Sequence, residues 1–336
     1  MLSLFLYSFL ISIIVLILVI FLTHRYQIFI DKANDVKPQN FHTSSTPRAG
    51  GIGILAGMVL IIFLPFGLKF LLSIILAFVS GIFEDFHNSL SPKIRLLLQL
   101  FAALSAVLLT NAVVIYLGLG IGMPYWMGIL FSIFAIVGMM NAINIIDGFN
   151  GLASGVILLI LLSFAIVSYQ QNDNNILSII TITAGATLGF FILNFPKGKI
   201  FLGDGGAYLL GFIVAILGIF LASNYEDVSP WYIIAIFIYP VWEVIFSIIR
   251  KLYIGLSPLS PDSYHLHMLI YRQIAKNNPL TTLFILSTTM PFMIFSTFYH
   301  NESKTNIAIS CYFIISYLIL YYYLYKKDIK NTQAIK

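Results

Sequence analysis

Long apolar runs separated by short polar breaks set the pattern of this chain from end to end. A helical run needs about 20 residues to cross roughly 30 Å of hydrocarbon. The runs lack the apolar-polar alternation of a barrel strand, and unpaired backbone is too costly in lipid. The pattern therefore predicts an all-α, polytopic membrane protein of about eleven spans, at 2–22, 49–66, 69–84, 94–117, 125–145, 151–169, 176–195, 205–223, 230–249, 280–299 and 306–325.

The composition agrees with membrane insertion and narrows the chemistry. Hydrophobic residues make up 60% of the 336 positions and charged residues 9%, with a mean hydropathy of +0.96. So few charges exclude nucleic-acid binding and disordered linkers as organising features. The chain has a single cysteine, Cys311, which lies in an apolar run. With one cysteine, disulfides within the chain and thiolate zinc sites are excluded as well. A metal would need oxygen or imidazole ligands.

Basic residues predict how the chain is oriented. The loops after odd-numbered spans and the C-terminal tail hold sixteen of the eighteen Lys and Arg residues, and the exceptions are Lys69 and Lys304. The positive-inside rule then places the C-terminus in the cytoplasm and the N-terminus outside. The first run has no basic n-region and no small-residue cleavage site, so we expect it to be retained as a span. With no internal repeat, 1–336 is expected to form a single transmembrane domain whose longest cytoplasmic loop is 250–279.

An acidic pair, Glu84 and Asp85, ends the third predicted span on the predicted cytoplasmic side. Two adjacent carboxylates are costly at a membrane boundary unless a cation, a lysine or a shared proton compensates them. Lys93, eight residues after Asp85, is a natural partner for a carboxylate or a phosphate. The alternative is an ordinary solvated loop with charges at a helix end.

Polar residues recur every three positions at the end of the fifth predicted span, as Asn141, Asn144 and Asp147. This spacing puts their side chains on one face of a helix, where amide and carboxylate oxygens can converge on a hard cation or a nucleotide. Gly148 and Gly151 then interrupt the helix and allow close backbone approach. Hydrogen bonding between membrane helices is the alternative explanation.

A glycine-rich segment with one acid, from Phe201 to Gly206, opens the eighth predicted span and contains Asp204. Lys197 and Lys199 lie just upstream and make the site electropositive, as an incoming anion requires. An aspartate at the start of a helix can also serve as a plain N-cap, which is the competing interpretation.

Two histidines, His265 and His267, lie near the centre of the 250–279 loop. In an extended loop their side chains point the same way, which suits binding a diphosphate or zinc. Zinc is the weaker hypothesis because no third soft ligand is nearby. The alternative without a function is that both are exposed surface histidines.

Glu243 is the one acid well inside an apolar run. An acid at that depth needs a partner or a proton. Pairing with Arg250, two helical turns on, and facing the site are both open.

Taken in order, these motifs resemble those of the polyprenyl-phosphate N-acetylhexosamine-1-phosphate transferases, membrane enzymes that begin bacterial cell-envelope glycans on a lipid carrier. The resemblance covers nearly the whole chain. Its segments are Thr46-Pro-Arg48-Ala-Gly50-Gly51, the acidic pair with Lys93, Asn141-Ala-Ile-Asn144-Ile-Ile-Asp147-Gly-Phe-Asn150-Gly-Leu, Phe201-Leu-Gly-Asp204-Gly-Gly and His265-Leu-His267.

The resemblance implies transfer of a sugar 1-phosphate from a UDP-N-acetylhexosamine to polyprenyl phosphate, with release of UMP. Mg²⁺ is the implied cofactor, with Mn²⁺ as a substitute, and a homodimer is an assembly the resemblance leaves open. The implied setting is the bacterial inner membrane, with undecaprenyl phosphate as the carrier and the active site on the cytoplasmic face.

Site residues also follow from the resemblance, motif by motif. Asn144 and Asp204 are similar to metal ligands, and Asp85 to the catalytic aspartate. Glu84 and Asp147 match further catalytic acids. The residues similar to substrate-binding groups are Phe201, Gly148 and Asn150 for uracil, Lys93 for the lipid phosphate, Arg48, His265 and His267 around the diphosphate, and Asn141 in the same polar motif.

The chain departs from the family pattern at three positions. Glu84 stands where the usual pair has aspartate, Glu243 where many relatives have aspartate, and Met268 where many continue with a third histidine. The missing histidine argues against the related phospho-N-acetylmuramoyl-pentapeptide transferases. The three differences together favour a branch that serves O-antigen, capsule or a related glycan such as a protein glycan. A transporter and a scaffold with a decayed site are the competing classes. Transport is disfavoured because the polar residues gather at one face rather than at the midplane.

Overall fold

The structure is a computed structural model that describes residues 1–26, 30–31, 46–87, 91–258, 260 and 262–334. A two-stranded antiparallel ribbon pairs β1 (Ile30–Asp31) with β2 (Thr46–Pro47). The helices are α1 (Leu2–Tyr26), α2 (Gly50–Met58, continued by a 3₁₀ segment Val59–Phe63), α3 (Gly67–His87), α4 (Pro92–Thr110), α5 (Tyr125–Ile146), α6 (Leu152–Gln170), α7 (Asn174–Asn194), α8 (Gly203–Asn224), α9 (Pro230–Ile236), α10 (Ile238–Tyr253), α11 (Leu266–Ile270, followed by a π turn Tyr271–Ala275), α12 (Asn278–Phe298) and α13 (Ser303–Ala334).

The all-α polytopic class is confirmed. Nine helices in the described part of the chain are long and apolar enough to cross a membrane, and α9 with α10 would make a tenth. The predicted span at 49–66 is a shorter apolar helix, Gly50–Phe63. The count of eleven and the orientation of the chain stay predictions.

Helix α8 is the centre of the bundle. Of its 22 residues, 18 are buried, and they include apolar positions all around the helix. A helix that is apolar all round is stable only when other helices surround it. Neighbours α3 and α5 pack along it, and α2 and α6 contact it as well. The first turn of α8 is therefore held in place from several sides.

Small residues allow the central helices to pack closely. A methyl group built on Gly211 of α8 would lie 2.7 Å from the carbonyl oxygen of Met139 and 2.7 Å from the Cα of Met140, both in α5. Helix α1 uses hydroxyl groups in the same way, since Ser8 and Ser12 donate to the carbonyls of Ile182 and Ala186 in α7. Such contacts hold membrane helices together where lipid and side chains are equally apolar.

The fourth predicted span, 94–117, ends as a helix at Thr110 instead. Asn111 takes a left-handed conformation, and the chain after it is extended. The first part of this segment is buried: Val113 and Val114 are 5% and 7% exposed, and the Val114 N–H donates to the Ser132 hydroxyl in α5 at 2.8 Å. Hydrophobicity alone could not distinguish a buried extended segment from the end of a helix.

The ninth predicted span, 230–249, is broken rather than continuous. Helices α9 and α10 meet at Phe237 with a bend of 75°. Pro240, in the first turn of α10, has no N–H to continue the hydrogen bonding of α9, and prolines cause most sharp kinks. The bend turns α10, which carries Glu243, away from the course of a straight span.

We expect Gly211→Ala to destabilise the bundle, because its methyl group would meet the backbone of α5. Overpacking of this kind costs about 1–3 kcal/mol, so the melting temperature of the detergent-purified protein should fall by several degrees. Gly138→Ala on α5 is the matched control, since a methyl group there meets nothing within 4 Å. Equal melting temperatures for the two variants would contradict this account of the α5–α8 contact.

Candidate active site

The start of α8 is held by a carboxylate from another helix. Asp85, near the end of α3, accepts hydrogen bonds from the backbone N–H groups of Asp204 and Gly205, each at 2.9 Å. Gly203 has a φ of +75°, and a methyl group there would lie 2.7 Å from the Asp85 carboxylate. The glycine therefore serves both the left-handed turn and the close approach of Asp85. Free N–H groups and the helix dipole favour an anion at this place.

The Asp204 side chain faces away from its own helix end and collects polar partners. Its Oδ1 accepts from the amide of Asn144 at 3.0 Å and lies 3.5 Å from the Arg48 guanidinium. Its Oδ2 lies 3.3 Å from Nη1 of Arg95. The N-cap interpretation of Asp204 is thus wrong, because α8 has no side-chain cap of its own and Asp85 binds its first N–H groups.

Backbone pairing brings Arg48 to this site. The N–H of Phe201 donates to the carbonyl of Pro47 at 2.8 Å, and the N–H of Gly50 donates to the carbonyl of Phe201 at 2.9 Å. Residues Arg48 and Phe201 form a parallel bridge between these bonds. Two motifs whose bridged residues are 153 positions apart in the chain are in this way joined along their main chains.

The acidic pair has a different basic partner from the one expected. Nη1 of Arg95, one turn into α4, lies 3.8 Å from Glu84 Oε1 as well as near Asp204. Lys93 is exposed at the start of the same helix, so the interpretation of Lys93 as the partner of the acidic pair is corrected to Arg95. The sequence analysis missed Arg95; its one signal is a second base in the first turn of an apolar helix that follows an acidic pair. Binding of a lipid phosphate by Lys93 stays a prediction.

Asp147 ends α5 and stands beside the same charges. Burial raises the pKa of its carboxyl to about 7, with Arg48 lowering it and Asp204 raising it further. The next residue, Gly148, faces the histidine segment, since a methyl group there would lie 3.6 Å from His267 Nε2. The end of α5 therefore connects the carboxylate cluster with the histidines.

Glu243 in α10 is hydrogen-bonded to His265 and lies near His267. Its Oε2 lies 3.0 Å from His265 Nδ1 and its Oε1 3.9 Å from His267 Nδ1. Pairing of Glu243 with Arg250 is wrong, because the Arg250 guanidinium instead bonds to Asp262. The carboxylate thereby fixes which ring nitrogens face away from it.

The histidines point the same way, but not in an extended loop. His265 precedes α11 and His267 lies within it, and their rings stack with centroids 5.3 Å apart. They are 7% and 0% exposed, so they are not surface histidines. Burial lowers the pKa of His267 to about 4, although Glu243 acts in the opposite direction. Its Nε2 is buried, has no hydrogen-bond partner among the described residues and faces Gly148.

Two asparagines predicted to bind substrate bond to the protein here. The Asn141 amide donates to Oε1 of Gln99 at 2.7 Å and to the carbonyl of Val137 at 2.8 Å. The Asn150 amide donates to the carbonyl of Pro196 at 3.0 Å, and its backbone N–H donates to Asn278. The substrate roles of both asparagines stay predictions.

Another buried asparagine, which the sequence analysis missed, joins two motifs. Oδ1 of Asn194 accepts from the N–H of Gly151 at 2.5 Å, and its amide donates to the carbonyl of Ile200 at 2.7 Å. It thus connects the loop after α5 with the segment that leads to Asp204. Its sequence signal is an amide at the end of an apolar run, ten residues before Asp204.

The donors around Asp204 fit a hard divalent cation. Among the described residues, no three His, Cys, Asp or Glu side chains form a group that could hold a metal ion. Mg²⁺, however, usually takes one or two protein carboxylates and completes its octahedron with waters and substrate phosphates. Asp204 supplies such a carboxylate, and rotating the Asn144 amide by 180° would present its oxygen in the same place. Zinc fits less well, because it usually takes at least three protein ligands, and the described residues do not bring three together.

Fold and site together define an α-helical, polytopic membrane protein with a polar, charged site at one end of its bundle. Comparison with known proteins points to one family: the profile of glycosyl transferase family 4 matches residues 67–222, just under half of the chain, which include Glu84, Asp147 and Asp204. The resemblance stated from the motifs is confirmed.

Individual relatives are similar over most of the chain. The probable undecaprenyl-phosphate N-acetylglucosaminyl 1-phosphate transferase of Bacillus subtilis is 29% identical, over 77% of this chain and 75% of its own length. The undecaprenyl-phosphate alpha-N-acetylglucosaminyl 1-phosphate transferase of Thermotoga maritima is 29% identical, over 87% of this chain and 86% of its own length. A phospho-N-acetylmuramoyl-pentapeptide-transferase of Streptococcus agalactiae is 32% identical, over 57% of this chain and 64% of its own length.

Asp147 should make stability depend on pH. Its pKa rises from an ordinary 3.8 to about 7 on folding, so the folded protein keeps a proton that the unfolded chain has lost. That contribution to stability is fully present below about pH 3.8 and is lost as the pH rises through about 7. Between about pH 5 and pH 8 the wild type should therefore lose more thermal stability than Asp147→Asn.

Melting temperatures in detergent across that range would measure the effect. Asp227→Asn, at an exposed acid in the loop after α8, is the control and should follow the wild-type curve. Parallel curves for the wild type and Asp147→Asn would contradict the raised pKa.

Proposed function

We propose that this protein transfers an N-acetylhexosamine 1-phosphate from a UDP-sugar to polyprenyl phosphate, releasing UMP and leaving a diphosphate-linked sugar lipid. The observation that carries the proposal is the Asp204 carboxylate, which lies within 3.5 Å of Asn144, Arg48 and Arg95 at the start of α8. The names of the Bacillus and Thermotoga relatives, both undecaprenyl-phosphate N-acetylglucosaminyl 1-phosphate transferases, support the reaction.

The place of the site suits two substrates of opposite solubility. A UDP-sugar is water-soluble, whereas polyprenyl phosphate keeps its tail in the bilayer and only its phosphate at the surface. A cluster at the ends of α3 and α5 and the starts of α4 and α8 would be reached from both phases. On the predicted topology this end faces the cytoplasm, which suits a bacterial inner-membrane enzyme supplied with nucleotide sugars.

Electrostatics is the main task of such a site, because both reactants carry phosphate. Mg²⁺ held by Asp204 and Asn144 would supply the charge that neutralises the diphosphate during transfer. Arg48 and Arg95 add two fixed guanidinium groups beside the same carboxylate. One guanidinium group can donate two parallel hydrogen bonds to the oxygens of a phosphate, so these side chains would also align the diphosphate.

The other acids have separate tasks in this proposal. A phosphate monoester is already a nucleophile near neutral pH, so Asp85 needs only to accept a residual proton or to order the site. Each Asp85 oxygen accepts one backbone N–H and keeps a second lone pair for that purpose. Asp147, with a pKa of about 7, would exchange a proton at the pH of the cytoplasm. Glu84 holds Arg95 in place.

The remaining residues of the site are assigned to the nucleotide. Phe201, Gly148 and Asn150 are assigned to uracil, and His265 with His267 to the diphosphate. The unpartnered Nε2 of His267 supports this assignment, because a buried ring nitrogen without a partner is costly unless a ligand supplies one. Met268 in place of a third histidine favours an N-acetylhexosamine donor over a muramoyl pentapeptide, and O-antigen, capsule or a related glycan as the product's use.

Mass spectrometry of lipid products tests the reaction. Purified protein would be given undecaprenyl phosphate, Mg²⁺ and a panel of UDP-N-acetylhexosamines, with UMP quantified alongside. We expect a diphosphate-linked sugar lipid and an equal amount of UMP, both lost on adding EDTA and restored by Mg²⁺ or Mn²⁺. Absence of product and of UMP with every donor would refute the proposal and favour a scaffold. Product that survives EDTA would refute the metal alone.

Asp204→Asn should remove most activity, because it takes away the carboxylate proposed to hold the metal. The expected loss is at least about 100-fold in kcat, the scale seen when a preorganised electrostatic group is removed. Amount and melting temperature in the membrane extract should stay close to wild type, and Asp227→Asn should keep full activity. Near-wild-type turnover of Asp204→Asn would overturn the metal assignment.

A further inference from the structure

The last helix is much longer than a membrane crossing requires. Helix α13 has 32 residues, so it extends about 48 Å, against roughly 30 Å of hydrocarbon. Its final turns carry Lys326, Lys327, Asp328 and Lys330, which do not belong in lipid. This polar end lies against the π turn Tyr271–Ala275 that directly follows the histidines.

Asp328 is the centre of that contact. It is 9% exposed, and its Oδ1 accepts from Nε of Arg272 at 3.2 Å and from the side-chain amide of Gln273 at 2.6 Å. Asn331, one turn on, donates to Oε1 of Gln273 at 2.9 Å. Charge-assisted bonds of this kind are stronger than neutral ones, and partial burial protects them from screening by salt.

Arg272 connects Asp328 with the chain segment that precedes the histidines. While its Nε faces Asp328, its Nη1 donates to the carbonyl of Ser263 at 3.0 Å, two residues before His265. Its guanidinium also lies 5.3 Å from the ring centroid of Tyr264. The guanidinium is planar and rigid, so its position on Asp328 sets the position of the chain that leads to His265.

The segment between α10 and α11 is supported from α10, where Arg250 bonds to Asp262, and from α13 through Arg272. Among the described residues from 254 to 264, the chain forms turns and bends without a helix or strand. The rings of Tyr264 and Tyr325 in α13, 5.6 Å apart, add a second contact to the same helix. Glu243 fixes the histidine rings from the membrane side, and α13 approaches their segment through Arg272.

We propose that the polar end of α13 is a clamp that holds the histidine segment in its substrate-binding arrangement, with Asp328 as the positioning residue. The inference rests on the proposed function, because it assigns His265 and His267 to the UDP-sugar diphosphate. Asp328 touches no substrate in this account; it acts through Arg272 and Ser263.

Kinetics of the full-length protein test the clamp. In Asp328→Asn we expect the KM for the UDP-sugar to rise about tenfold, the scale of one lost hydrogen bond to a charged group. The KM for polyprenyl phosphate and kcat should stay within about twofold. The variant loses binding of the UDP-sugar equally in the ground state and the transition state, which raises the KM for that substrate alone. Asp328→Glu, which keeps the charge, should restore most of the affinity. Lys330→Gln, an exposed charge on the same helix, should behave as wild type.

A second measurement does not depend on turnover. Diethyl pyrocarbonate modifies accessible histidines, and mass spectrometry reports each site separately. His265 should react faster in Asp328→Asn than in wild type, with His24 as an internal reference on α1. If Asp328→Asn proves too unstable to purify, Arg272→Lys takes its place. The single ammonium group of lysine cannot bridge Asp328 and Ser263 as the guanidinium group of Arg272 does.

These results separate the two proposals. An inactive wild type would refute the transferase, while faster modification of His265 in the variant would still support the clamp. An active wild type with an unchanged UDP-sugar KM and unchanged His265 reactivity in Asp328→Asn would overturn the clamp and leave the transferase standing. A fall in kcat with equal changes in both KM values would also overturn it, because that is general damage to the fold.

Discussion

The site depends on one carboxylate bound to the start of one helix. Asp85 accepts two N–H groups at the N-terminus of α8, the most buried of the candidate membrane spans in the described residues. Each hydrogen bond to a charged group is worth about 1.5–3 kcal/mol when made and costs more if one buried partner is left alone. Because α8 is surrounded by other helices, fixing its first turn fixes Asp204, and Asp204 in turn orders Asn144, Arg48 and Arg95.

That arrangement explains how several acids can be placed together beside a membrane. Four carboxyl groups lie near one another in this site, those of Glu84, Asp85, Asp147 and Asp204. A carboxylate there without a compensating charge would take up a proton. Two solutions are present. Arg95 compensates Glu84 and Asp204, whereas Asp147 has a pKa raised to about 7. Incoming phosphate and a cation would enter a site whose charges are already arranged.

The histidine segment is organised differently, by polar contacts at its two sides. Glu243 approaches from within the bundle because the bend at Phe237 redirects α10, and Arg272 approaches from the polar end of α13. The rings are thereby stacked and buried, although the chain before them lacks regular structure. A short, supported segment of this kind can be precise without being a long helix, since its hydrogen bonds are made to rigid neighbours.

Sequence by itself determined the all-α membrane class, the ends of most spans and the motifs that make up the site, because hydrophobicity and residue type are local properties. It did not determine the early end of α4 at Thr110 or the break before α10, since a buried extended segment and a kinked helix are as apolar as a straight span. The sequence also did not determine which polar and charged residues contact one another. That Arg95 rather than Lys93 meets the acidic pair, that Glu243 binds histidines, and that Asp328 reaches Arg272 were decided by the tertiary structure alone. Those contacts join residues 11 to 56 positions apart, and only the packing of the helices sets which charged groups come within reach of one another.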